Sequence, residues 1–255
     1  MIKNHLLTCS VMCVLFIISK LFVFSVPDKK PLKNSPVLFN MFEVKKSAEE
    51  TAPLNFADEE VPVNNAKVKR KIEYSIWKHG YHEMQTDELQ AKANKWFPVI
   101  EPILRLYGIP EDFKYIPLLE SGFKNHARSP RGAAGIWQFM PGTAREFGLK
   151  VGHGKDERLN TRKSTIAACK YLKELYNEFD SWTLAAAAFN AGSIRVQKAI
   201  NHKNKGNYFY MRLNRETGAY VYKLVAMKEV IDYPVENGYD QTWADMKPSE
   251  VLSLD

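Results

Sequence analysis

The sequence predicts an all-α, helix-rich protein in which one helical domain spans residues 68–235. Three observations carry this expectation. From Val68 onward apolar residues recur at three- and four-residue spacing. Sustained alternation with a period of two is nearly absent. Cap residues and glycine or proline stops punctuate the chain at helix-length intervals. Hydrophobic residues make up 45% of the 255 residues and aromatics 12%, enough for a core, which excludes disorder as the state of the whole chain.

Ahead of that domain the pattern is different. After Lys3 an apolar run extends from Leu6 to Phe24, interrupted by Thr8, Cys9, Ser10, Cys13, Ser19 and Lys20. It closes on Val23, Phe24 and Ser25, and the charged stretch Pro27 to Lys30 follows. A basic start, an apolar middle and a cleavable end read as a secretory signal over residues 1–25. An uncleaved membrane anchor is the rival, since a bilayer needs roughly 20 apolar residues. A lipoprotein signal at Leu6 to Cys9 fits less well because the apolar stretch before Cys9 is too short. Both main readings place the domain outside the cytoplasm, in the periplasm or cell envelope. With Cys9 and Cys13 in the leader, only Cys169 remains, which leaves neither a disulfide nor a cysteine metal cluster to expect.

Residues 26–67 mix prolines (Pro27, Pro31, Pro36, Pro53, Pro62) with lysines and an acidic stretch, and read as an extended linker. The helices follow in order. Two are expected over 68–80 and 87–97, the second opened by Thr86 and Asp87. Pro98 and Pro102 then mark a break or kink, and Pro110 opens the next helix. A short helix covers Thr143 to Phe147. A clearly amphipathic one covers Thr161 to Phe179, with Ile166, Cys169, Leu172, Leu175, Tyr176 and Phe179 at helical spacing. Ser181 caps the next helix, Ser193 another, and Glu216 to Asp232 forms the last long one. Residues 236–255 read as a tail.

The formal charge of +7 favours anionic partners without choosing among them. Nucleic acid is not expected, because the leader exports the chain and the lysines are scattered rather than gathered on one helix face.

The stretch Pro110 to Phe123 carries the most chemistry. On a helix Phe113, Ile116, Glu120 and Phe123 share one face, while Tyr115, Leu118, Leu119 and Gly122 make the other side apolar too. Glu120 is its one acid beyond the first turn. A carboxyl buried there loses hydration, which favours the neutral form and suits a general acid. A structural ion pair with Arg128 or Arg158 explains the same burial, so the residues alone leave both readings open. Downstream, Gly132, Gly135 and Gly142 allow tight turns. Ser129 and Gln138 can bind sugar hydroxyls or N-acetyl groups, and Trp137 and Phe139 offer flat faces for stacking, although packing or turn chemistry is the stronger reading of each taken alone.

Taken together, Glu120-Ser121, Gly135 to Gln138, Ala188 to Gly192 and Tyr220 follow the order of the four motifs of the lytic transglycosylase family, glycoside hydrolase family 23, which includes goose-type lysozymes. The sequence resembles that family over about residues 97–232, and most resembles its membrane-bound D branch through Ile136-Trp137-Gln138, Asp156 to Asn160 and Arg215 to Val221. The resemblance implies a lysozyme-like catalytic domain with Glu120 as acid/base. It implies that Ser121, Ser129, Trp137, Gln138, Phe189, Asn190 and Tyr220 contact or frame the substrate. That substrate is a peptidoglycan strand, cut between N-acetylmuramic acid and N-acetylglucosamine with formation of a 1,6-anhydro end. No metal or cofactor is implied, and a monomer is expected. Phe189 stands where the family usually has tyrosine, so a hydroxyl contact is lost. No second acid pairs obviously with Glu120; Glu146, Asp156 and Glu157 are candidates by proximity in sequence. Hydrolysis by the same Glu120, as in a lysozyme, and a non-catalytic glycan-binding envelope protein are the alternatives.

Overall fold

Helix formation dominates from residue 66, as the periodicity predicts. The computed structural model describes residues 53–79, 86–152 and 154–233. The leader, residues 26–52 of the expected linker and the 236–255 tail lie outside the described residues.

The chain enters through a small antiparallel hairpin, β1 (Asn55–Phe56) and β2 (Glu59–Glu60), paired Asn55 to Glu60 and Phe56 to Glu59. The helices α1 (Ala66–His79) and α2 (Thr86–Leu106) follow, then a 3-10 turn (Glu111–Lys114) leading into α3 (Tyr115–Ser121). A loop of tight turns connects α3 to α4 (Pro141–Glu146). A second hairpin, β3 (Val151–Gly152) and β4 (Lys155–Asp156), and a 3-10 turn (Glu157–Leu159) come next. The chain finishes with α5 (Thr161–Phe179), α6 (Trp182–Ala191), α7 (Ser193–Ala199), a 3-10 turn (Tyr208–Tyr210) and α8 (Thr217–Asp232).

The core centres on α8 and α6. Helix α8 buries Val221, Leu224, Val225, Ala226, Met227, Val230 and Ile231, and packs against α1, α3 and α6. In α6 the run Ala185 to Ala188 is fully buried, and its small side chains let the flanking α5 and α8 approach closely. Asn160 and Ser181 cap α5 and α6 by accepting from Lys163 N and Leu184 N. Helix α7 begins at Ser193 behind Gly192 and has no side-chain cap bond, contrary to the expectation for Ser193.

Two departures have physical reasons. Pro98 and Pro102 do not end a helix; both lie inside α2. They are four residues apart and both exposed, on a side of the helix where water can serve the carbonyls they leave unpaired. The other departure is the C-terminal end of the expected linker. Phe56 and Val61 are fully buried, and Phe56 packs on Phe113 with ring centroids 5.3 Å apart. Asp112 Oδ2 accepts from Ala57 N at 2.7 Å and pairs with Lys228 Nζ at 2.7 Å, which ties the hairpin to α8. The Glu59 carboxylate covers the start of α6: it accepts from Thr183 N at 3.1 Å, Thr183 Oγ1 at 2.6 Å, Ser181 Oγ at 3.0 Å and Trp182 N. A carboxylate on those unpaired N–H groups is favoured by both hydrogen bonding and the helix dipole.

Replacing Glu59 with Ala is therefore expected to lower unfolding free energy by about 2 kcal/mol. Chemical denaturation would check this, and an unchanged midpoint would show that the hairpin does not hold α6.

Candidate active site

Glu120 sits on the last turn of α3, which stops because Gly122 adopts the left-handed conformation at its C-terminal cap. The helix is short but buried on Tyr115, Ile116, Pro117 and Leu118, so its position is set by packing. Glu120 is partly buried, and Tyr220 from α8 donates its hydroxyl to Glu120 Oε1 at 2.7 Å. Tyr220 is itself 2% exposed.

Neither arginine considered as a structural partner reaches Glu120. Arg128 and Arg158 both pair with Asp156, at 2.9 and 2.8 Å. Without a guanidinium, loss of hydration dominates: burial pushes the Glu120 carboxyl above the ordinary glutamate range, and the Tyr220 hydrogen bond only partly opposes this. Of the charges on α8 and at its start, Glu216 pushes in the same direction as burial and Lys223 against it. The Tyr220 hydroxyl is held well above its usual range by its own burial and by Glu120, so it remains a hydrogen-bond donor.

Asn190, on the last turn of α6, meets the start of α8. Its Nδ2 donates to Glu216 Oε1 at 3.3 Å, and its Oδ1 accepts from Thr217 Oγ1 at 3.1 Å. One donor and one acceptor fix the orientation of the amide. Glu216 and Tyr220 are four residues apart, one turn, so α8 presents both on the same side. Glu216 is the carboxylate that sequence reasoning missed as a neighbour of Glu120. The i,i+4 spacing to Tyr220 was the available signal. The earlier candidates are engaged elsewhere or exposed: Asp156 with its arginines, Glu157 with Lys163 at 2.5 Å, and Glu146 on an exposed face of α4.

Ser121 links this group to the loop that follows. Its hydroxyl donates to Pro117 O at 2.9 Å and Ile136 O at 3.0 Å, which fixes the loop against the end of α3. Within the loop Ser129 Oγ accepts from Ala133 N at 3.0 Å. Gln138, at a positive φ of 49°, donates its amide to Gly135 O at 2.7 Å and Ala127 O at 3.3 Å. The buried Arg158 braces the loop from behind by donating to Gly132 O at 2.7 Å and Phe139 O at 2.9 Å. Gly135 lies so close that a Cβ there would come within 1.9 Å of Arg158 O. Only glycine fits.

The aromatic residues correct the sequence reading. Trp137 is 1% exposed and donates Nε1–H to Thr165 Oγ1 at 2.9 Å, and Phe139 is buried as well. Neither has a face available for a sugar ring; both are core. Phe189 is half-buried, with its ring 5.4 Å from Tyr171 and 6.0 Å from Phe139. A cavity of ≈ 350 Å³ lies at the opposite end of α6, lined by Glu59, Ser181, Thr183, Lys205 and Phe209 among others, away from Glu120. Among the described residues no group of three or more His, Cys, Asp or Glu side chains could hold a metal ion.

Residues 99–211 match the family model described as the transglycosylase SLT domain. The chain is 32% identical over 176 residues to the membrane-bound lytic murein transglycosylase D of Escherichia coli (strain K12), covering 67% of this chain and 38% of that protein. It is 33% identical over 138 residues to a protein of Alteromonas sp. (strain M-1) named for tributyltin chloride resistance, covering 53% of this chain and 67% of that one. The crystal structure of the 70-kDa soluble lytic transglycosylase of Escherichia coli aligns with a TM-score of 0.46 at 19% identity, over 81% of this chain and 42% of that one. The match thus covers well under half the length of the membrane-bound relative.

The raised Glu120 carboxyl predicts a pH-dependent stability. Relative to Glu120→Gln, the wild type holds its stability below the ordinary glutamate range. It loses stability as pH rises from there through the folded-state value, because the native state holds the proton longer than the unfolded chain does. Thermal melts across pH are expected to show Glu120→Gln the more stable at neutral pH and the two proteins converging in acid. A variant less stable at neutral pH would contradict the assignment.

Proposed function

We propose a peptidoglycan lytic transglycosylase activity for this chain, which belongs to the transglycosylase SLT family. The observation that carries the proposal is the state of Glu120: a partly buried carboxyl, bonded to a tyrosine rather than an arginine, at the first motif of the family. The substrate is the β-1,4 linkage between N-acetylmuramic acid and N-acetylglucosamine in a glycan strand.

Tyr220 occupies Oε1, which leaves Oε2 to carry the proton to the glycosidic oxygen. As the bond to C1 breaks, positive charge develops on the muramyl ring and a carboxylate remains. The Tyr220 hydroxyl then stabilises that carboxylate. In the second half Glu120 acts as base: it takes the proton of the muramyl C6 hydroxyl while that oxygen closes on C1. The products are a 1,6-anhydro end and a free 4-hydroxyl, and Glu120 is protonated again. One residue acting twice fits a site where the nearby Glu216 is committed to Asn190. Asn190, Ser129 and Gln138 are proposed to line the strand-binding surface, with Phe189 behind them. Ser121 and Trp137 act by holding the loop. An exported location in the cell envelope completes the proposal. No helix among the described residues is long and apolar enough to cross a membrane.

Glu120→Gln should keep its fold and lose at least about 10²-fold in cleavage. Mass spectrometry of digested sacculi should find wild-type fragments one water lighter than hydrolysis products. Retained activity in the variant would remove Glu120 from the chemistry. Hydrated reducing ends would make the protein a muramidase on the same site, and binding without turnover would make it a glycan-binding protein.

A further inference from the structure

The expectation that the lysines are scattered does not survive α1. Lys67, Arg70, Lys71, Tyr74, Trp77 and Lys78 fall at i, i+3, i+4, i+7, i+10 and i+11, one face of the helix, and all six are exposed. The opposite face, Val68, Ile72, Ser75 and Ile76, is buried against α8. Tyr74 and Trp77 are 59% and 49% exposed, and their rings lie 5.9 Å apart at 36°. No acid lies on this face; Glu73 sits to the side, 3.9 Å from Lys69. The cations crowd one another. Lys71, exposed along its length, rests its Nζ 4.9 Å over the Tyr222 ring of α8, and partial desolvation there, with Lys67 second, pushes its ammonium below the usual range.

From this arrangement we propose that α1 docks the protein on an anionic lipid surface, with Lys67, Arg70, Lys71 and Lys78 against the headgroups and Tyr74 and Trp77 at the interface. Two exposed aromatics are too few for deep burial of a helix but suit the headgroup level, where amphipathic rings partition. Four like charges without an acid among them respond to a surface potential. A saccharide partner fits less well. The two rings offer stacking faces, but sugar hydroxyls are paired by carboxylates and amides, and this face has no Asp, Glu, Asn or Gln. The envelope location proposed above sets the chain apart from nucleic acid. The docking face shares no residue with the Glu120 site, so the inference stands or falls separately from the proposed reaction.

The test is cosedimentation of the full chain with vesicles of phosphatidylcholine alone or mixed with phosphatidylglycerol, at low and high salt. The wild type should bind more strongly when the anionic lipid is present, and high salt should remove that gain. Lys67→Gln with Arg70→Gln should weaken the anionic-dependent part about 30-fold, from about fivefold per charge. Tyr74→Ser with Trp77→Ser should weaken it as well. Any insertion of the N-terminal apolar run is common to all proteins compared and cancels. Wild-type binding indifferent to phosphatidylglycerol overturns the proposal whatever the variants do. Folded variants that bind anionic vesicles as the wild type does overturn it too. A loss confined to binding of sacculi or duplex DNA assigns the face to glycan or nucleic acid and overturns it equally. Cleavage of soluble muropeptides should be unchanged in both double variants.

Discussion

The hydrogen bond from the Tyr220 hydroxyl to Glu120 joins residues 100 positions apart, and the rest of the site is arranged around it. It requires a short helix that ends at Glu120 and Ser121 and a long one that brings Tyr220 to it from inside the core. Helix α8 can deliver a buried tyrosine because it is enclosed by α1, α3 and α6. The same helix start holds Asn190 through Glu216 and Thr217. Two opposed effects meet at Glu120: removal from water favours the proton, and the tyrosine hydrogen bond favours its loss. Burial is the larger, and an arginine in place of the tyrosine would have reversed the outcome.

The loop between α3 and α4 is built to stay still. Ser121 ties it to α3, Arg158 holds two of its carbonyls, and Gly135 touches the backbone at Arg158. Arg158 is buried with its charge met by Asp156, and the ion pair and the two carbonyls together offset the cost of its desolvation. This rigidity has a consequence for Ser129 and Gln138. Their backbone is held by these contacts, so in the binding role proposed for them little ordering would remain to be done.

Much of this was legible in the residues. The helices followed from periodicity and capping, as at Ser181, and Glu120 stood out as a lone acid on an apolar helix. Other features were hidden for identifiable reasons. Trp137 is a flat apolar ring whether it stacks on sugar or fills a core, and only the Thr165 partner and its burial decide. The hairpin at Asn55 to Glu60 has strands of two residues, too short to show a period, and its anchor Phe56 sits among acids and prolines. Pro98 and Pro102 read as breakers because their exposure on one side of α2 cannot be seen in one dimension. Glu216 was visible as the first residue of a helix, but its relation to Glu120 arises only when α8 packs on α3.

Burial outweighs the Tyr220 hydrogen bond, so Glu120 keeps its proton beyond the ordinary glutamate range. The direct measurement is a carboxyl ¹³C NMR titration of glutamate-labelled protein, with the Glu120 signal assigned by its absence in Glu120→Gln. A midpoint above the ordinary range, moving higher still in Tyr220→Phe, is the result expected. A midpoint at or below that range in the wild type, or a downward move on removal of the hydroxyl, would contradict the account.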